Sequence, residues 1–188
     1  MDGLLSFDRD LFLWLNSLGS SPYDFFWMMM TNKLTNVLVY LTATFYFYKK
    51  TDLKQLLGLF IFVALLILAM DQTTNLFKYQ IARLRPCHDL EISSLVRLVK
   101  PNCGGQFSFF SGHSSNSFAL ATFFSLLLRT YLSKFSFVFF FIAALIAYSR
   151  VYIGVHYPLD IFVGALFGML YGALFYRLWK SFILPRLR

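Results

Sequence analysis

Charge is what this sequence has least of. Nine acidic residues occur in 188, and charged residues make up 14% of the chain, where an average soluble chain carries roughly 25%. With 58% apolar residues, and twenty-four phenylalanines among them, there is more apolar surface than one small core could hide from water. A soluble enzyme and a disordered tail are therefore excluded. Cysteine is nearly absent: Cys87 and Cys103 are too few for a disulfide framework and sit in no metal-ligand spacing. A cleavable signal is lacking too, since Asp2, Asp8 and Asp10 stand where a positive n-region belongs and no small-residue cleavage site follows. Long apolar runs are what remains, and residues 1–188 read as a single integral membrane domain.

A net charge of +8 raises the question of nucleic acid. The seventeen basic residues sit in short polar gaps between apolar runs and form no stripe with interleaved aromatics. That distribution fits membrane topology and lipid headgroups. No nucleic-acid partner is expected, and no protein partner is required.

A membrane span needs about 20 apolar residues. Leu4–Leu18 is interrupted by Asp8, Arg9 and Asp10, while Leu5, Phe12, Leu15 and Leu18 share one helical stripe. That pattern predicts an interfacial amphipathic helix within residues 1–22, ended by Gly19-Ser20-Ser21-Pro22. Five spans follow: Phe26–Tyr48, with a polar knot at Thr31, Asn32, Lys33 and Asn36, then Leu53–Phe77, His113–Tyr131, Phe135–Tyr148 and Leu159–Trp179. Residues 79–110 form a long polar loop. The expected fold is all-α, a polytopic transmembrane helical bundle.

Lys49, Lys50 and Lys54, then Arg129 and Lys134, then Arg177, Lys180, Arg186 and Arg188 fall on one side by parity. The positive-inside rule makes that side cytoplasmic. Lys78, Arg83, Arg85, Arg97, Lys100 and Arg150 fall on the other side and call for a separate explanation.

Three clusters supply it. Lys78 to Arg85-Pro86 closes the second span, Ser111-Gly112-His113 opens the third, and Ser149-Arg150, His156 and Asp160 join the fourth to the fifth. An even number of crossings separates them, so topology alone brings them to one face. Lys78, Arg85 and Arg150 could surround the oxygens of a tetrahedral anion, the arginines in bidentate fashion. Ser111 and Gly112 precede a helix whose first N–H groups and dipole form an anion site. Pro158 suits a first helical turn, which puts His156 just before that turn and Asp160 within it. A carboxylate so spaced can hold one imidazole nitrogen and leave the other free to attack, while His113 protonates the leaving oxygen.

Lys-x6-Arg-Pro, Ser-Gly-His and Ser-Arg-x5-His-x3-Asp together resemble the type 2 phosphatidic acid phosphatase family of membrane lipid phosphatases, over Asp71 to about Gly168. The resemblance implies a phosphohistidine intermediate on His156, oriented by Asp160, with His113 as general acid. It implies that Lys78, Arg85, Ser111, Gly112 and Arg150 hold the phosphate, that water hydrolyses the intermediate, and that no metal or other cofactor takes part. One departure is Phe110, where the family usually has proline before Ser-Gly-His; the preset φ is lost there.

Several residues stay open. Asp71 and Asn75 share a helical face with Lys78 and either orient it, touch the headgroup, or simply meet water at a helix end. Ser149 either supports the site or caps its span. Lys33 either extends the positive field or snorkels. Oxidising conditions outside the cell would permit a Cys87–Cys103 disulfide, and His88 and Asp89 read as loop residues.

The function expected is hydrolysis of a membrane lipid phosphate at the outer face of a bacterial inner (cytoplasmic) membrane. Undecaprenyl diphosphate is favoured, with phosphatidylglycerol phosphate, phosphatidate or a lipid A phosphate as alternatives. Phosphotransfer between lipids and anionic-lipid binding without catalysis are the competing activities. No cluster of carboxylates or of His and Cys is spaced to hold Mg²⁺ or Zn²⁺, so activity is expected to persist in a strong chelator. Phosphate release in excess EDTA measures this, and loss that Mg²⁺ restores would overturn the metal-free mechanism.

Overall fold

The computed structural model describes residues 2–132 and 136–183. Phe135, expected to open the fourth span, and Lys134, Arg186 and Arg188 of the cytoplasmic charge groups lie outside the described residues. Helices form nearly all the regular structure: α1 (Asp2–Ser17), α2 (Ser21–Thr31), α3 (Lys33–Tyr48), α4 (Leu53–Ile81), α5 (Gly112–Leu127), the short α6 (Arg129–Leu132), α7 (Ser136–Tyr152) and α8 (Pro158–Phe182). The loop 82–111 holds two 3₁₀ turns and one isolated bridge, Leu84 to Phe107.

Local chemistry explains where helices begin and end. Asp52 caps α4 by accepting from Gln55 N at 2.8 Å, and Ala82 in the left-handed region (φ 50°) stops it. Pro22 and Pro158 occupy the first turns of α2 and α8, where a missing N–H costs nothing.

The predicted boundaries need correction in four places. The second span runs on from Phe77 to Ile81, so the loop expected at 79–110 begins at Ala82. Phe26–Tyr48 is not one helix: Asn32 leaves helical geometry (ψ 135°) and its side chain accepts from Leu34 N at 2.9 Å. An Asn that captures a nearby N–H starts a new helix instead of continuing the old one. The predicted span His113–Tyr131 likewise breaks after Leu127, with α6 as a separate turn. The fourth span runs on to Tyr152, so Ser149 and Arg150 lie inside α7.

Helix α1 forms as expected, but its predicted stripe is split, with Phe12 buried and Leu15 packed beside it while Leu5 and Leu18 stay exposed. Asp8, Phe12 and Asn16, four residues apart, are its buried face, whereas Leu5 and Leu18 are exposed beside Leu4, Phe7 and Trp14. Polar groups thus anchor α1 inward. Asn16 Nδ2 donates to the Val151 and Tyr152 carbonyls at 3.1 and 2.9 Å, and its Oδ1 accepts from Arg97 N at 2.8 Å.

The outer surfaces are apolar. On α4, Leu53, Leu57, Phe60, Ile61, Leu65 and Leu68 stand exposed, and on α8 so do Phe162, Leu166, Leu170 and Leu174. A soluble monomer does not carry such a surface, and hydrocarbon suits it. Both helices are long and apolar enough to cross a membrane, and α7 is a shorter apolar helix. The protein is an all-helical membrane protein.

The tightest packing joins α5 and α8, which run parallel. Gly164, Gly168 and Gly172 form a small-residue stripe along α8. A Cβ on Gly168 would lie 2.3 Å from the Ser115 carbonyl oxygen, and one on Gly172 would lie 2.4 Å from that of Ala119. Helices meet this closely in a membrane only through such residues. Because the obstacles are backbone atoms, Gly168→Val is expected to destabilise the protein by about 1–3 kcal/mol. Thermal unfolding in detergent measures this, and an unchanged midpoint would show that the helices can separate without cost.

Candidate active site

The site lies at the end of the bundle where α5 and α8 begin. Asp160 is the third residue of α8 and is fully buried. Its Oδ2 accepts from Tyr157 N at 2.9 Å, the backward half of a capping box. The same oxygen faces His156 Nδ1 at 3.3 Å. One helix start therefore fixes the carboxylate, and the carboxylate orients the imidazole. His156 itself is 2% exposed, in the turn between α7 and α8. Gly154 makes that turn possible: its φ is +84°, and a Cβ there would lie 2.8 Å from the Arg97 carbonyl oxygen.

Ser111 and Gly112 come from the neighbouring helix start. Ser111 caps α5, its Oγ accepting from Ser114 N at 3.4 Å, and its own N–H donates to the Asp160 carbonyl at 3.1 Å. That bond ties the second cluster directly to the third. Arg150, 4% exposed in the last turn of α7, reaches Thr31 Oγ1 at the end of α2, while its Nε makes no hydrogen bond. His113 faces the Thr31 carbonyl. Thr31, read from sequence only as part of a polar knot, is thus a hinge point of the site.

Arg85 is aimed by the outer loop. Its Nη1 donates to the Cys103 carbonyl at 2.7 Å and its Nε to that of Phe107 at 3.3 Å. Cys87 and Cys103 are joined in a disulfide, with Cα atoms 6.1 Å apart, which clips the same loop. Phe110 is fully buried and stacks on Phe167 at 4.9 Å between ring centres. Packing between helices therefore holds the segment that a proline would otherwise stiffen.

A cleft of about 500 Å³ opens between α3, α4 and α5. Its polar lining includes Lys33, Asp71, Asn75, Lys78 and His113, and its apolar lining includes Val37, Leu41, Leu59, Phe60, Val63 and Ile67. Asp71 accepts from Asn116 Nδ2 at 2.8 Å. The Ser149 hydroxyl donates to the Ile146 carbonyl at 2.6 Å, within its own helix.

Sequence reasoning missed the surroundings of Asp160. Arg83 Nη1 lies 3.3 Å from Asp160 Oδ1 and its Nη2 lies 2.7 Å from Asp8 Oδ2, an ion pair with off-axis hydrogen-bond geometry. Burial pushes the Asp8 carboxyl up, and the Leu159 N–H and Arg83 pull it back. The Arg83 guanidinium also stacks 3.7 Å above the Tyr157 ring. Asp89, taken as a loop residue, accepts from Tyr157 OH at 3.0 Å and pairs with Arg9 at 3.3 Å. The signal present in sequence was an acidic pair within an apolar helix, Asp8 and Asp10, without a stated partner. Among the described residues, no three His, Cys, Asp or Glu side chains gather as metal ligands.

The electrostatics unite the clusters. Burial, then Arg150, Arg85 and Lys78, hold the His156 imidazole well below its ordinary value of 6.5. Lys100 joins the same field, lowered by burial and by Arg150 and Arg85. A neutral, oriented imidazole among cations is arranged to meet a phosphate.

These features define a class, and comparison with known proteins agrees. A family model described as the PAP2 superfamily matches residues 54–183, and the chain belongs to that family. It is a membrane lipid phosphatase, a hydrolase of phosphate monoesters. The "Lipid A 4'-phosphatase" of Porphyromonas gingivalis is 34% identical over 181 residues, covering 95% of this chain and 75% of that protein. The protein of that description from Bacteroides thetaiotaomicron is 36% identical over 176 residues, covering 92% and 77%. Among solved structures, LpxE of Aquifex aeolicus superposes with a TM-score of 0.68 at 27% identity, covering 89% of this chain and 93% of that one. A PAP2-type phosphatidylglycerolphosphate phosphatase from Bacillus subtilis gives 0.74 at 22%, covering 97% and 89%, a likeness of fold.

The depressed His156 sets a pH expectation. Its neutral form persists below pH 6.5, so the acid limb of kcat/KM, which reports the free enzyme, is expected below that value. A limb at or above pH 6.5 would contradict a neutral nucleophile held among cations.

Proposed function

We propose that this protein removes a phosphate monoester from the saccharide headgroup of lipid A, through a phosphohistidine on His156. The observation that carries the mechanism is His156, buried, oriented by Asp160 and set in the field of Arg150, Arg85 and Lys78, the last of which also lines the cleft beside His113. The substrate follows from two relatives, 34% and 36% identical over nearly the whole chain and both described as lipid A 4'-phosphatases. They favour this alternative over undecaprenyl diphosphate, which the sequence by itself favoured.

In the proposed reaction, Lys78, Arg85, Arg150 and the first N–H groups of α5 hold the phosphate oxygens. The free imidazole nitrogen of His156 attacks phosphorus as the phosphorus–oxygen bond to the sugar breaks. His113 gives its proton to the leaving oxygen. Water, losing a proton to His113, then attacks phosphorus, the nitrogen–phosphorus bond breaks, and inorganic phosphate leaves. Asp160 accepts from the Nδ1 proton as positive charge grows on the ring. The acyl chains lie along the cleft between α3 and α4.

The topology consistent with this reading has five crossings, the first shared by α2 and α3 and the others made by α4, α5, α7 and α8. The site then opens on the periplasmic side of a bacterial inner membrane, and α1 lies along that interface.

The test is phosphate release by detergent-purified protein in EDTA from lipid A, undecaprenyl diphosphate, phosphatidylglycerol phosphate and phosphatidate, beside His156→Ala. Fastest release from lipid A, reduced at least a thousandfold or so in the variant, is the expected result. Preference for another lipid would overturn the substrate. Release unaffected by His156→Ala would overturn the mechanism, and headgroup transfer without stoichiometric free phosphate would make the protein a transferase.

A further inference from the structure

We infer that Asp8 on α1 and Arg83 are positioning residues for the reaction, Arg83 fixing the Asp160 carboxylate and Asp8 cancelling the charge that Arg83 brings. The inference rests on His156 as nucleophile.

Three charged side chains stand in line behind the imidazole. Asp160 is fully buried, Asp8 is 3% exposed, and Arg83 lies between them, 3.3 Å from the first and 2.7 Å from the second. The two oxygens of Asp160 are divided: Oδ2 serves His156 and Tyr157 N, and Oδ1 serves Arg83. Arg83 thus stops the carboxylate from rotating. A guanidinium so placed also opposes the positive charge that grows on His156 during attack, because in a buried site charges interact with little screening. Asp8 removes that penalty. With it, the three groups carry a net single negative charge, and the field of Asp160 at His156 is restored.

Helix α1 is built to hold this arrangement. Asp8 Oδ1 accepts from Leu159 N at 2.8 Å, one residue from Asp160 itself. Arg9 binds Asp89, which holds the Tyr157 hydroxyl at 3.0 Å, and Phe12 packs edge-on against the Tyr157 ring at 5.4 Å. Tyr157 in turn supports the Arg83 guanidinium from below. Three residues of one surface helix therefore converge on the turn that carries His156 and Asp160. A helix serving only as a membrane anchor needs no buried aspartate.

The test uses the full-length protein in detergent with its fastest-hydrolysed lipid, measuring kcat, KM and thermal midpoint for Asp8→Asn, Arg83→Gln, the double variant and His156→Ala. Asp8→Asn keeps an acceptor for Leu159 and loses the charge. Its kcat is expected to fall about 10–100-fold, as for outer-shell partners of catalytic groups, with KM changed less than about threefold and the midpoint nearly unchanged. The double variant is expected to be no slower than Arg83→Gln alone, since without Arg83 there is no charge to cancel. A kcat for Asp8→Asn within twofold of the parent, or losses that multiply in the double variant and follow the midpoint, would overturn the inference. Should Asp8→Asn not fold, the double variant against Arg83→Gln replaces it: equal kcat supports the inference and a further loss overturns it. His156→Ala separates the two readings. If it is inactive while Asp8→Asn is unaffected, only this inference fails; if it retains turnover, both fail.

Discussion

The close parallel contact of α5 and α8 is what the site depends on. Parallel helices side by side align their dipoles unfavourably, and a glycine stripe, with Gly168 and Gly172 against backbone oxygens, gives the packing that offsets this. The return is geometric. Two helix N-termini come to the same end of the bundle, joined by the Ser111 N–H to the Asp160 carbonyl at 3.1 Å. One start carries Ser111 and Gly112, and the other fixes the carboxylate that orients His156. Were the pair antiparallel, the C-terminus of one would face the phosphate with carbonyls.

Around this pair the positive charges are incompletely balanced. Arg150 is almost fully buried with an unpartnered Nε, and Arg85 has loop carbonyls as partners, which orient it without neutralising it. The buried acids nearby, Asp8 and Asp160, are engaged with Arg83 and His156. Uncompensated cations in a low-dielectric setting are costly, and a phosphate relieves that cost. Burial and the same cations hold the His156 imidazole well below its ordinary value and so in the neutral form that the proposed attack needs. Binding and nucleophilicity thus have one electrostatic origin.

The convergence of the three candidate clusters was legible in sequence because parity of spans and short motif spacings fix which side chains share a face. His156 and Asp160 four residues apart, and Ser111 before a helix, became contacts as expected. The break at Asn32 was less legible: the polar knot was visible, yet an apolar run on both sides reads as one span until the side chain is seen to cap Leu34. The docking of α1 was not legible. Its apolar stripe suggested Phe12 facing lipid with Leu5 and Leu18, whereas Phe12 is buried beside Asp8 and Asn16. Periodicity reports which residues share a face and not whether that face meets lipid or protein. Partners 75 residues apart, such as Asp8 and Arg83, leave no local trace.

The outer loop and the cleft divide the work of recognition in opposite ways. The loop is clipped by the Cys87–Cys103 disulfide and holds Arg85 through two carbonyls, so its cation is aimed before any substrate arrives. Preorganised donors of this kind need not reorganise as charge develops. The cleft, by contrast, is bordered by α3, which Asn32 separates from Thr31, the last residue of α2 and the one that touches Arg150. One wall of the cleft therefore starts two residues from the Arg150 contact. In the proposed reaction, where headgroup and tail belong to one molecule, that proximity would let occupancy of the cleft bear on how Arg150 meets the phosphate.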